Sequence, residues 1–317
     1  MLCIAPKITD PYFNIASEEY LLKNFSDDIF LLYCNEPSVI VGKHQNTFAE
    51  INYWFVKEKG IKVVRRLSGG GTVYHDAGNL NFCFIRNGQI GSLVDFQKFT
   101  QPIVEMLQAM GIPAERSGRN DLTINGHKIS GNAEHVYKNR TLHHGTLLIS
   151  AYLENLKGAL KNNAENYHDK AIKSVRSKVT NLREYLPKDF TIELFHKRLI
   201  DHILATFPDI QPYVFSATDL KSIQELIDQK YSTWEWNFGY SPKFTFKNSG
   251  KINNDLIDIE INIDKGFIQS LSVELNKNQA TDIKEILCGV KYNEETIRQK
   301  FQQLQYLEIN AWIRLFF

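Results

Sequence analysis

Residues 121–131 read Asp-Leu-Thr-Ile-Asn-Gly-His-Lys-Ile-Ser-Gly. An Asn-Gly pair between two short alternating runs is the strongest short-range signal for a β-hairpin, because both central residues of a type I′ turn need φ > 0. The spacing predicts antiparallel strands joined at Asn125-Gly126, with Lys128 just past the turn. Hairpins make antiparallel sheets, so this stretch sets the fold class. It also presents a cation on a stiff ribbon, although a lone lysine in that position is more often merely solvated.

Upstream lies Arg65-Arg66-Leu67-Ser68-Gly69-Gly70-Gly71-Thr72-Val73-Tyr74-His75-Asp76. This run fits neither the Walker pattern nor the dinucleotide fingerprint. A triple glycine alone usually marks a turn, but Arg65, Arg66 and Ser68 add anion donors to backbone that a ligand can approach. His75 and Asp76 either serve the same site or cap a turn. A glycine loop plus a hairpin lysine are parts suited to holding a phosphate-bearing reactant and offsetting its charge during group transfer.

Other segments fill in the architecture. Residues 14–22 and 96–110 have helical periodicity, the second ended by Gly111 and Pro113. Residues 30–33, 38–42, 62–66, 80–85 and 142–150 read as strands. The fold class is therefore α+β: a mixed, mostly antiparallel sheet packed with helices, rather than a regular βαβ alternation. A helix over 191–207 follows, and the aromatic run 233–239 is expected to close the larger unit. Residues 242–254, polar and carrying Asn248-Ser249-Gly250, read as a joining stretch. Beyond it, Ile257, Ile259, Ile261 and Ile263 alternate with polar residues, and Asp264-Lys265-Gly266 turns the chain into a second strand over 267–275. Helices over 282–287 and 294–304 complete a small α+β accessory domain, giving domains of 1–242 and 243–317.

Composition excludes several classes. The chain of 317 residues is 43% apolar and 23% charged, the proportions of an ordinary globular protein. A net charge of +1 offers a polyanion nothing to bind, so no nucleic-acid partner is expected. No apolar run is long enough to span a bilayer. Residues 1–12 contain Pro6 and Asp10 where a secretory signal needs apolar residues, so a cytoplasmic location is expected. Cys3, Cys34, Cys83 and Cys288 are scattered and indicate neither a disulfide framework nor a thiolate metal site. His143 and His144 are adjacent on a strand and face opposite sides, so they cannot easily share an ion, while Gly145 behind them leaves room for a ligand. Trp234 and Trp236 read as core or junction aromatics.

With these residues in view, the chain resembles the bacterial two-domain lipoate–protein ligases. The resemblance rests on residues 65–76, on Ser117-Gly118-Arg119-Asn120-Asp121, on Lys128-Ile129-Ser130-Gly131, on His143-His144-Gly145-Thr146-Leu147-Leu148, on residues 174–182 and on 233–239. It implies the catalytic fold shared with biotin–protein ligases. It also implies activation of lipoate to lipoyl-AMP with ATP and Mg²⁺, then transfer to a lysine of lipoyl domains in 2-oxoacid dehydrogenase complexes or of glycine-cleavage H protein. By the same resemblance Lys128 is catalytic. Arg66, Gly71, Thr72, Val73, Tyr74, Asn120, Asp121, Lys128, Lys173 and Arg176 bind ATP or adenylate, and Asp121 is the candidate Mg²⁺ ligand. Ser68, Gly69, Gly70, Gly71, His75, Lys128, His144 and Gly145 bind lipoate, and 174–180 closes over the adenylate. The alternative is a lipoyl-AMP-dependent lipoyltransferase performing only the second step. An acyl-thioester transferase is disfavoured, since Cys83 sits among apolar neighbours as a structural thiol.

Overall fold

The computed structural model describes residues 1–88, 93–118, 120–160 and 164–317. Arg119, part of the Ser117–Asp121 motif, lies outside the described residues. The chain divides into two compact units: Met1–Lys43, Ile61–Lys157 and Ser174–Ser232 form one, and His44–Gly60, Gly158–Lys173 and Thr233–Phe317 form the other.

The first unit is built on an eight-stranded sheet. Its strands run in the order Gln211–Pro212, Leu2–Ile4, Ile29–Tyr33, Asn79–Asn87, Arg140–Leu148, His127–Tyr137, Asp121–Ile124 and Glu115–Ser117. The first three strands pair in parallel and every later pair is antiparallel, the mixed sheet expected from the hairpin. The turn has Asn125 at φ 50° and Gly126 at φ 76°, as the type I′ geometry requires. One face carries Phe30, Leu32, Phe82 and Phe84 against Phe99, Ile103 and Leu107 of the helix Phe96–Ala109 and Phe195, Leu199 and Ile203 of the helix Ile192–Thr206. Burying each of these side chains contributes about 1.5–3 kcal/mol, which makes this face the core of the unit.

Strand Ser38–Val41 does not pair with Ile29–Tyr33, its neighbour in sequence. It sits in a separate three-stranded sheet, parallel to Lys62–Arg65 and antiparallel to Val73–His75. That small sheet presents the glycine run as the connection between its two outer strands.

The second unit is a five-stranded antiparallel sheet, Tyr167–Asp169, Phe244–Ile252, Asp255–Asp264, Phe267–Leu275 and Asn278–Gln279, covered by the helices Thr281–Leu287, Glu294–Gln303 and Ile309–Phe316. Two expectations are corrected here. The stretch 242–254 is no linker: Phe244–Ile252 is a full strand that buries Phe244, Phe246 and Ile252 and exposes Lys247, Ser249 and Lys251. Its composition hid the alternation that its burial reveals. The last helix, Ile309–Phe316, went unread; it buries Trp312, Ile313 and Phe316. The aromatic run near 233–239 belongs to this unit, where the Trp234 ring stacks on Phe238 and fills the space beside Gly239 and Gly266. Phe48 joins the same core, its ring 5.1 Å from those of Phe238 and Tyr292.

Candidate active site

Residues directly paired on neighbouring strands share a face of the sheet. On the face opposite the phenylalanine core, Asp121 pairs with Gly131, Gly131 with Thr146, Thr146 with Asn81, and Asn81 with Tyr33. The next row on that face runs Ala133, His144, Cys83 and Leu31. Of the expected site residues, Asp121 and His144 stand on this face.

Lys128 reaches over it from one end. Its Nζ lies 2.9 Å from Asp121 Oδ1, and both side chains are about a quarter exposed (25% and 26%). The arm crosses Gly131, where an added Cβ would stand 3.0 Å from Lys128 Cε and Nζ. The glycine of the Lys-Ile-Ser-Gly motif thus makes room for the lysine itself.

The glycine loop is held from inside by Arg66. Its guanidinium donates to the carbonyls of Ile40 (3.0 Å), Gly69 (2.6 Å) and Gly71 (2.8 Å) and through Nε to Ser68 Oγ (2.9 Å). Burial lowers the Arg66 pKa to about 10, so the group stays protonated at neutral pH. Gly70 takes φ +87°, open to glycine and costly for other residues. Arg65 is buried too and donates to the carbonyls of Gly42 and Lys43.

From Ser68 a buried relay runs inward. Ser68 Oγ lies 2.6 Å from His144 Nε2, His144 Nδ1 lies 2.7 Å from Glu18 Oε2, and Tyr33 donates to Glu18 Oε1 at 2.9 Å. Ser68 also accepts from Arg66, so a buried cation and a buried carboxylate are joined through Ser68 and His144. Cys83 lies beside Glu18, and burial with that carboxylate pushes its thiol well above the usual range. A thiol so held is not a nucleophile at neutral pH.

A second chain reaches His75. Asn14 Nδ2 donates to Asn35 Oδ1 (2.9 Å), and Asn35 Nδ2 donates to His75 Nδ1 (3.0 Å), which puts the ring proton on Nε2. Among the described residues that Nε2 is buried without a partner. Burial lowers the His75 pKa to about 3, aided by the nearby Arg66 and His144. Asp76 is a turn anchor, accepting from the amides of Gly78 (2.8 Å) and Tyr152 (2.9 Å).

The two histidines diverge as expected: His143 turns to Glu134 (2.9 Å) and stacks on Phe99 on the core side. Gly145 needs a different explanation. A Cβ there would fall 2.1 Å from Asn132 Oδ1 and 2.4 Å from Phe82 Cζ, so the space is used by the protein's own side chains rather than left for a ligand. Asn120 is tied to Asn132, donating to its carbonyl at 2.7 Å.

The segment after residue 173 touches both motifs. Ser174 Oγ accepts from Thr72 N at 2.9 Å and abuts Gly71, while Lys178 O accepts from Lys128 N (2.8 Å) and Thr180 N donates to Lys128 O (3.0 Å). Between these anchors Val175 is 89% exposed, and Arg176 has no ion-pair partner among the described residues. Val73 and Tyr74 lie in the small sheet. Lys173 is paired with Asp169 at 2.7 Å in the other compact unit.

Among the described residues no cluster of three His, Cys, Asp or Glu side chains forms a metal cage. A Mg²⁺ carried on a nucleotide needs only one or two carboxylates, its other ligands being water and phosphate. The partly exposed Asp121 fits that role. Glu18, Tyr33, Asn35, Asn81 and Asn132 went unread in the sequence. One signal was present: Asn14 and Glu18 sit four apart on the buried stripe of the helix Pro11–Asn24, where apolar residues are the rule.

Comparison with known proteins shows the family. Residues 10–204 match the lipoyl protein ligase A/B catalytic domain family, and residues 241–313 match the bacterial lipoate protein ligase C-terminus. Lipoate–protein ligase 1 of Staphylococcus aureus is 40% identical over 301 residues, covering 93% of this chain and 92% of the relative. The lipoate protein ligase Ta0514 of T. acidophilum, solved with bound lipoic acid, superposes with a TM-score of 0.65 at 26% identity, covering 74% of this chain and 98% of that one. A lipoate–protein ligase A solved with ATP gives 0.63 at 27% identity, covering 76% and 100%. This chain belongs to the lipoate–protein ligase family.

Proposed function

We propose that this ligase condenses lipoate with ATP to lipoyl-adenylate and then passes the lipoyl group to a lysine on a lipoyl domain of a 2-oxoacid dehydrogenase complex or on glycine-cleavage H protein. The observation that carries the reading is Lys128, held by Asp121 over a polar sheet face and bonded through its backbone to a segment that also touches the glycine loop. A carboxylate is a poor acyl donor. Its oxygen attacks the α-phosphorus, pyrophosphate leaves, and the mixed anhydride becomes the donor for the second step. There the acceptor amine adds to the acyl carbon, loses its proton, and AMP departs. Lys128 offsets charge on the phosphate in the first step and on the acyl oxygen in the second. Positioning by the two loops supplies much of the rest.

In this reading Arg66 and residues 71–74, with Asn120, Asp121 and Arg176, serve the nucleotide. Residues 68–71, His75 and His144 serve the lipoyl group, while Gly145 gives its space to Asn132 and Phe82. Mg²⁺, held by Asp121 with the nucleotide, supplies further neutralisation of phosphate charge. A catalytic domain is followed by a C-terminal accessory domain, a division supported by family matches that end at 204 and resume at 241, although the second compact unit also takes in 44–60, 158–173 and the run from 233. The protein works in the cytoplasm; no helix among the described residues is long and apolar enough to cross a membrane, in keeping with that.

The test is mass spectrometry of a lipoyl domain incubated with the protein, ATP, Mg²⁺ and lipoate. A lipoyl mass increment that requires all components is expected, and an unmodified domain refutes the reading. Pyrophosphate release from ATP and lipoate without the domain separates the full ligase from an enzyme limited to the second step.

A further inference from the structure

Asn81 stands next to Tyr33 in the row that runs from Asp121 to Tyr33, and it is 2% exposed. Among the described residues neither its Oδ1 nor its Nδ2 has a hydrogen-bond partner. A buried carboxamide with both ends unmade is destabilising, whereas an apolar residue of the same shape is not. The neighbours on its row are engaged elsewhere. Tyr33 donates to Glu18, Thr146 Oγ1 accepts from Asn79 at 3.4 Å, and Asp121 holds Lys128. The amide therefore supports no internal network.

Its distance from Lys128 is informative. The lysine ammonium overhangs Gly131, and one strand, that of Thr146, separates Gly131 from Asn81. Strands lie about 4.8 Å apart, so the two positions are separated by about 10 Å of sheet. The lysine arm thus lies over one end of this stretch and the amide at the other, with Thr146 between them.

We propose that Asn81 recognises the acyl head of the substrate, its Nδ2 donating to one acyl oxygen while Lys128 serves the other side. The proposal rests on the reading that this site binds lipoate. The donor remains in place when the amine adds and charge grows on that oxygen, where a preplaced hydrogen bond strengthens. A site residue left unsatisfied in the free protein is the kind of stability loss that function explains.

The test compares wild type with Asn81→Leu and Asn81→Asp in three measurements: calorimetric binding of lipoate and of the matching primary alcohol, lipoate-dependent ATP–pyrophosphate exchange, and thermal unfolding without ligand. Asn81→Leu is expected to weaken lipoate binding about 10- to 100-fold, the range for a lost hydrogen bond to a charged group, and to erase the preference for carboxylate over alcohol by the same factor. The same variant should unfold at a higher temperature than wild type. Asn81→Asp should weaken lipoate further, because two carboxylates then face each other, and should spare the alcohol. Equal weakening of both ligands, unchanged lipoate binding in both variants, or a lower unfolding temperature for Asn81→Leu overturns the role. Absence of lipoate-dependent exchange in wild type sinks the ligase reading itself, whereas normal wild-type exchange with unaltered variants sinks only Asn81.

Discussion

The Lys128 ammonium reaches the Asp121 carboxylate, 2.9 Å away, by passing over Gly131, where a methyl group would stand 3.0 Å from the arm. The pair keeps a flexible cation aimed along one line. Lys128→Ala is expected to abolish transfer, with a loss of about 3 kcal/mol or more, the cost of removing one donor aimed at developing charge. Lys128→Arg should also be poor, because a planar fork does not substitute for a compact ammonium. Gly131→Ala should leave folding intact yet slow both half-reactions by pushing the arm aside. Single-turnover rates with near wild-type values in either variant at 128 or 131 would remove this line from the mechanism.

Gly70→Val is expected to block lipoate use in a protein that still folds. The residue holds φ +87°, and its Cβ would lie 3.1 Å from Arg66 Nη2, the atom that pins the loop. A branched side chain resists that backbone region at a cost of about 1–3 kcal/mol and disturbs the arginine as well. Lipoate binding measured by calorimetry should be lost, and normal binding would reduce the loop to a simple turn.

The segment 174–180 is anchored at both ends and exposed between them, the arrangement of a closing flap. Limited proteolysis should cut within residues 169–181 of the free protein, and ATP with lipoate should suppress the cut. Equal cleavage with and without the ligands would make the segment ordinary surface. Ser174→Ala, which removes the hydroxyl that accepts from Thr72 N, should speed cleavage.

His75 carries a pH signature. Its folded pKa lies near 3, against the ordinary value of 6.5, because burial and the nearby Arg66 disfavour the charged ring. Between those values the unfolded chain takes up a proton that the folded chain refuses, so this residue's stabilising contribution is present above 6.5 and is lost as pH falls. Going from about pH 7.5 to about pH 5, the loss is about 2 kcal/mol from this one group. Urea unfolding of His75→Gln should show a shallower fall over that range than wild type, and identical slopes would mean the ring is not held neutral.

Much of the fold was legible because its cues are local. The Asn125-Gly126 turn, the helix from Thr191 with its side-chain cap, and the isoleucine alternation over 257–263 all appear as read. The strand Phe244–Ile252 did not, because Asn248 and Gly250 take inward positions where apolar residues are the usual signal, and the run 247–251 resembles a linker when burial is unknown. Within the site, Lys128, Ser68 and His144 could be named from motifs. Glu18 and Asn81 could not, since what marks them is a partner 126 residues away for one and the lack of any partner for the other.

By itself the sequence determined where the backbone must turn, because φ preferences act within a few residues. Tertiary structure alone decided that Gly145 yields its space to Asn132 and Phe82, that Ser68 and Glu18 meet through His144, and that Asn81 stands alone opposite Tyr33. These follow from strand register. Register is set by which faces are buried across the whole sheet, and a shift of one residue would turn every side chain on the strand to the other face.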